Sequence, residues 1–75
     1  MQTQKNQHVV PYHGRWAVKG EGNTRYTAVV KEKYDAVRIA RRISKNQRSE
    51  LFIHNINGKI SRRDSHGKDI FPPRG

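Results

Sequence analysis

The spacing of apolar side chains changes period twice along this chain, and that limits the possible folds more than any single motif. Arg15-Trp16-Ala17-Val18-Lys19 alternates as a half-buried strand does, and Arg25 to Lys31 is rich in β-branched and aromatic residues. From Tyr34 to Gln47 the period becomes helical, with Ala36, Ile39, Ala40 and Ile43 at i, i+3, i+4 and i+7 and Val37 at the edge of the stripe. Glu50 to His54 and Lys59 to Arg63 return to strand character. The expected fold is therefore α+β: ββαββ, an antiparallel sheet of two hairpins with one helix packed on one face.

Turn chemistry sets the boundaries. Gly20-Glu21-Gly22-Asn23 reads as the first hairpin turn, and Asn57-Gly58 as a two-residue hairpin turn with positive φ at both positions. Asp35 and Lys45 suit the helix dipole at the two ends of the helix, while Glu32 and Lys33 cap its start weakly. Residues 1–7 read as disordered. His8 to Gly14 reads as an extended lead-in limited by Pro11 and Gly14, and 65–75 as an irregular tail. The single domain is expected over 8–64. A chain of 75 residues supports one thin core. There is no cysteine to brace it, no stretch of about 20 apolar residues to span a bilayer and no apolar segment near the polar start. These features predict a cytoplasmic protein.

Strand parity sorts the side chains into two faces. Trp16, Val18, Tyr26, Ala28, Val30, Leu51, Ile53 and Ile60 form the expected core face, packed on the helix stripe. The opposite face is expected to carry Arg15, Lys19, Arg25, Thr27, Val29, Lys31, Phe52, His54, Lys59, Ser61 and Arg63, with Phe52 and His54 lying flat among the cations and Glu50 the one added acid. On the helix, Arg38, Arg41, Arg42 and Lys45 recur opposite the apolar stripe, with no acid after Asp35 to neutralise them. The chain as a whole has 16 Lys and Arg against 6 Asp and Glu, a net charge of +10. A basic surface of this kind rewards phosphate through counterion release, and flat rings stack on unpaired bases.

Several short blocks carry a family likeness. They are Trp16-Ala17-Val18-Lys19, Glu21-Gly22-Asn23, Ala36 to Ala40, Ser49 to His54, Asn57-Gly58-Lys59-Ile60, and Ser65 to Asp69 with Pro72. In this order they resemble the bacterial domain-of-unknown-function family 2188, over roughly residues 8–75. The helix start departs from the family, with Glu32 where members often carry a Ser or Thr cap. The resemblance implies a bacterial origin and one short domain, and it supplies no activity.

Other chemistries find little support. His8, His13, His54 and His66 match no common zinc spacing, so no metal and no cofactor are expected. Asp64-Ser65-His66-Gly67-Lys68-Asp69 holds an acid, a nucleophile and a base, but reads as a turn rather than a rigid catalytic set, so no enzyme is expected. Gly20 to Asn23 joins two strands and is no phosphate loop. Trp16 belongs to the core. The helix lacks the bulky exposed hydrophobes of a membrane-surface helix. The expectation is a non-enzymatic nucleic-acid-binding module, DNA or RNA, with no small-molecule substrate. It would use Arg15, Lys19, Arg25, Lys31, Arg38, Arg41, Arg42, Lys45, Phe52, His54, Lys59 and Arg63. The alternatives are a protein-interaction module or homodimer that uses the open sheet edges or binds an acidic partner, and charge that serves solubility alone.

Overall fold

The computed structural model describes residues 5–65. Their elements are β1 (Gln7–Tyr12), β2 (Arg15–Gly20), β3 (Ala28–Val30), α1 (Lys33–Gln47), β4 (Glu50–His54) and β5 (Ile60–Ser65). The strands form one sheet in the order β3-β2-β1-β4-β5. The α+β class and the single helix on one face are as expected, but the ββαββ order is not. The sheet has five strands and is mixed, because β1 runs parallel to β4 while the other pairs are antiparallel.

The additional strand is the segment read as a lead-in, and it lies at the centre of the sheet. Pro11 does not interrupt it, for a geometric reason. His13 and Gly14 form a two-residue link with φ of 47° and 77°, and Tyr12 and Arg15 close the hairpin. The closing pair of such a hairpin exchanges its backbone bonds, so the next pair, Pro11 and Trp16, does not. The nitrogen of Pro11 therefore faces the β4 side, where the register already ends at Val9 and Ile53. The missing N–H leaves no bond unmade. Gln7, placed in the expected disordered start, is buried within β1. Residues 5 and 6 are also tied down. The Lys5 backbone N–H donates to Gln47 Oε1 (3.2 Å), and Asn6 Oδ1 accepts from the Glu50 N–H (2.9 Å).

The core lies between sheet and helix. Val9, Val18, Leu51 and Ile53 meet Ala36 and Ala40, with Trp16, Ala28, Val30, Val37, Ile39 and Ile43 packed around them. Each fully buried Val or Leu contributes about 1.5–3 kcal/mol through apolar burial. Ala36, Ala40 and Ser44 form the inner row of α1, all fully buried, so small side chains let the helix backbone sit close to the sheet. Helix and sheet differ in width. Five strands span about 19 Å centre to centre, whereas a helix is about 10 Å across. Accordingly α1 packs on β1, β2, β3 and β4, and β5 lies beyond it.

Two turns differ from expectation. β3 is only three residues long, and 21–27 form a loop, so the expected strand Arg25–Lys31 is mostly not strand. A Cβ at Gly20, the last residue of β2, would lie 2.5 Å from Asn23 Nδ2, so the Asn23 side chain would have to move aside. Between β4 and β5, Asn57 does not take positive φ, whereas Gly58 does (88°). The Gly58 N–H donates to the Asn55 carbonyl and the Asn55 N–H to the Lys59 carbonyl, which makes a three-residue loop. A bulge follows, pairing His54 with Ile60. It puts Ile60, expected in the core, at 54% exposure, and brings Ser61, expected on the open face, to the helix side.

Candidate nucleic-acid interface

The sheet face away from the helix is organised by register. Lys19 on β2, His8 on β1, Phe52 on β4 and Arg63 on β5 are successive register partners, forming one row across four strands. The rings of His8 and Phe52 have centroids 5.0 Å apart and planes 21° apart. Rings lying side by side in one plane would need about 7 Å between centroids, so this pair is offset face to face. The Arg63 guanidinium lies 6.0 Å from the Phe52 centroid. Phe52 therefore stands against His8 with its edge outward, and does not lie flat as expected. A second ring cluster joins Tyr12 to Tyr26 (4.7 Å) and to His13 (4.5 Å). Lys19 Nζ is 5.7 Å from the Tyr26 ring. Tyr26 thus belongs to this open face and not to the core. Ala17, between Arg15 and Lys19 on the same face of β2, is fully buried.

A hydrogen-bonded chain ties three elements together here. His54 Nδ1 is 2.9 Å from the Gly58 carbonyl oxygen, His54 Nε2 is 3.0 Å from His8 Nδ1, and His8 Nε2 is 3.0 Å from Glu21 Oε1. A carbonyl and a carboxylate only accept, so the three contacts require three N–H protons. Two neutral imidazoles carry two. All three bonds form together when the histidine pair holds one added proton. The His8 bond, then a bond from Asn6, holds the Glu21 carboxyl below its ordinary value, with a smaller contribution from His8 charge.

The structure divides the expected site. Arg15, Lys19, Phe52, His54 and Arg63 share the open face, with Arg25 in the β2–β3 loop, Lys31 after β3 and Lys59 in the β4–β5 turn. Arg38, Arg41, Arg42 and Lys45 lie on α1, across the sheet from that face. Neutralisation is uneven as well. Arg63 meets Glu50 (3.6 Å), Arg62 and Arg41 both meet Asp64 (3.4 and 3.1 Å), and Arg38 meets Asp35 (3.7 Å). The helix stripe is thus partly neutralised, contrary to expectation. Of the expected site cations, Arg15, Lys19, Arg25, Lys31, Arg42, Lys45 and Lys59 meet no carboxylate among the described residues, and neither do Lys5, Lys33 and Arg48 outside that set. Four of these, Arg15, Lys19, Arg25 and Lys31, belong to the β2–β3 end of the sheet. His8, Tyr12 and Tyr26 are the residues of this face that sequence reasoning missed. The alternation in Gln7-His8-Val9-Val10-Pro11-Tyr12 was the available signal, hidden by Pro11.

A family model described as an uncharacterized protein conserved in bacteria (DUF2188) matches residues 7–66. The chain belongs to the DUF2188 family. The match begins at β1, so the strand read as a lead-in is part of the family's domain. "Uncharacterized protein YdaT" of Bacillus subtilis (strain 168) is 30% identical over 63 residues, covering 84% of this chain and 42% of YdaT. This chain therefore spans less than half the length of that relative. No solved structure matches it. Among the described residues, no helix is long and apolar enough to cross a membrane, and no three of His, Asp and Glu are grouped to hold a metal ion. His66 to Asp69 of the acid–nucleophile–base run lie outside the described residues.

Proposed function

We propose that this DUF2188 protein is a non-enzymatic nucleic-acid-binding module whose contact surface is the β2–β3 half of the open sheet face. The observation that carries this reading is the uneven neutralisation. Arg62 and Arg63 on β5 are paired with Asp64 and Glu50, leaving Lys59 alone unpaired at that end, whereas all four of Arg15, Lys19, Arg25 and Lys31 have no acidic partner among the described residues. Unpaired cations on an uncovered face cost repulsion in the free protein and gain counterion release on a phosphate backbone. The rings of Tyr12 and Tyr26 lie between these cations, and Tyr26 is 39% exposed. Phe52, with its faces turned to His8 and Arg63, serves the row and is not a base-stacking surface.

A salt-titrated binding assay with single- and double-stranded DNA and RNA tests the reading. Affinity should fall with salt at a slope of about −0.9 per neutralised phosphate on duplex DNA, or about −0.7 on single strands. Lys19→Ala should reduce that slope by about 1. Arg42→Ala on the helix should leave it unchanged. Absence of binding to every probe at low salt, or equal effects of the two substitutions, rejects the assignment.

A further inference from the structure

On the helix side, the strip of sheet that α1 does not cover forms a groove of about 440 Å3 between α1 and β5. Val37, Ile53 and Tyr34 supply its apolar surface, and Lys33, Arg41 and Arg62 its cations. Tyr34 is 71% exposed although it lines an apolar groove. Asp64 sits between Arg41 and Arg62, accepting a hydrogen bond from Arg41 Nη2 at 3.1 Å and ion-paired with Arg62 Nε at 3.4 Å. One carboxylate thus orients two guanidinium forks and neutralises only one of them. Each fork has five N–H donors, and most of these have no protein partner among the described residues.

We propose that this groove is a docking site for an acidic peptide segment of a partner protein. A bulky apolar side chain of the partner would enter against Val37, Ile53 and Tyr34, and flanking carboxylates would take the free sides of the Arg41 and Arg62 forks. Charge complementarity selects this occupant. A second copy of the chain would bring another +10 to the same surface, and like charges facing each other oppose docking. A phosphate backbone would satisfy the cations but gain nothing from the apolar floor. Guanidinium forks already held in place lose less freedom on taking a carboxylate, which favours bidentate pairing. This surface is separate from the open sheet face, so each reading stands or falls without the other.

The test titrates 15N-labelled protein with the capped peptide Glu-Glu-Trp-Glu-Glu, with Gly-Gly-Trp-Gly-Gly and with a short oligothymidylate, following backbone amide shifts. The acidic peptide should move Tyr34, Val37, Ile53 and Ser61. Tyr34→Ala, which removes the exposed wall, should weaken that binding by about tenfold. Arg62→Glu, which reverses a rim charge, should do so by at least about fivefold. Both side chains are largely exposed, so the fold survives either change, and unchanged dispersion of the remaining amides confirms it. The proposal is overturned if the two peptides bind alike, if the acidic peptide shifts Arg15 and Lys19 in preference to the groove, or if the oligothymidylate and not the peptide moves the groove residues.

Discussion

Arg48 ends the helix with φ of 53°, a left-handed conformation that costs a residue with a Cβ. Two bonds hold it there: the Arg48 N–H donates to the Lys45 carbonyl and the Ser49 N–H to the Ser44 carbonyl, the pattern that glycine most often closes. Arg48→Gly should therefore stabilise the protein by about 0.5–1 kcal/mol, read as a higher denaturant midpoint at unchanged m-value. Glu21 offers a second residue-scale test. Its folded carboxyl titrates below the unfolded value of 4.5, so its stabilising contribution is present above that value and is lost as pH falls through the folded one. In an NMR pH titration, the Glu21 side-chain carboxyl should show a depressed midpoint, and His8→Ala should raise it toward 4.5. If the midpoint is the same in both proteins, the His8 bond is not what holds it down.

Among the elements, α1 was legible almost in full. Its period of apolar residues placed it within one residue of its observed start and at its observed end, and its weak cap is real: Glu32 makes no side-chain capping bond. Its closest row was less legible, because Ser44 looks polar in a sequence yet is fully buried where the helix nears the sheet. That row makes Ala40→Leu an informative substitution. The added side chain would push helix from sheet and should destabilise the protein by about 1–3 kcal/mol, with a lower thermal midpoint. A neutral or stabilising result would mean that the helix does not sit close. β1 was not legible, because a proline usually breaks a strand, and only the hairpin register shows that the nitrogen of Pro11 needed no partner. Phe52 and His54 were placed on the correct face by parity. Their ring orientation was not accessible, because it depends on His8 from the missed strand. Ile60 fell on the wrong face because a bulge adds one residue, and period-two counting cannot see that.

For the whole molecule, net charge dominates. With +10 on 75 residues the folded state repels itself, and screening relieves this. The melting temperature should rise between about 20 and about 200 mM sodium chloride, by about 4–8 °C for each kcal/mol of repulsion relieved. A falling midpoint over that range would mean that favourable ion pairs outweigh the repulsion. The order of the strands has a further consequence, in time. β1 is synthesised first, yet Leu51, the parallel partner of Gln7, comes about 44 residues later. At roughly 5–20 residues per second, about 2–9 s of translation separate the two. For that interval the middle of the finished sheet is an outer edge of the nascent chain, with Val9 waiting for Ile53. The growing protein therefore passes through a stage in which any other extended chain can take the place reserved for β4.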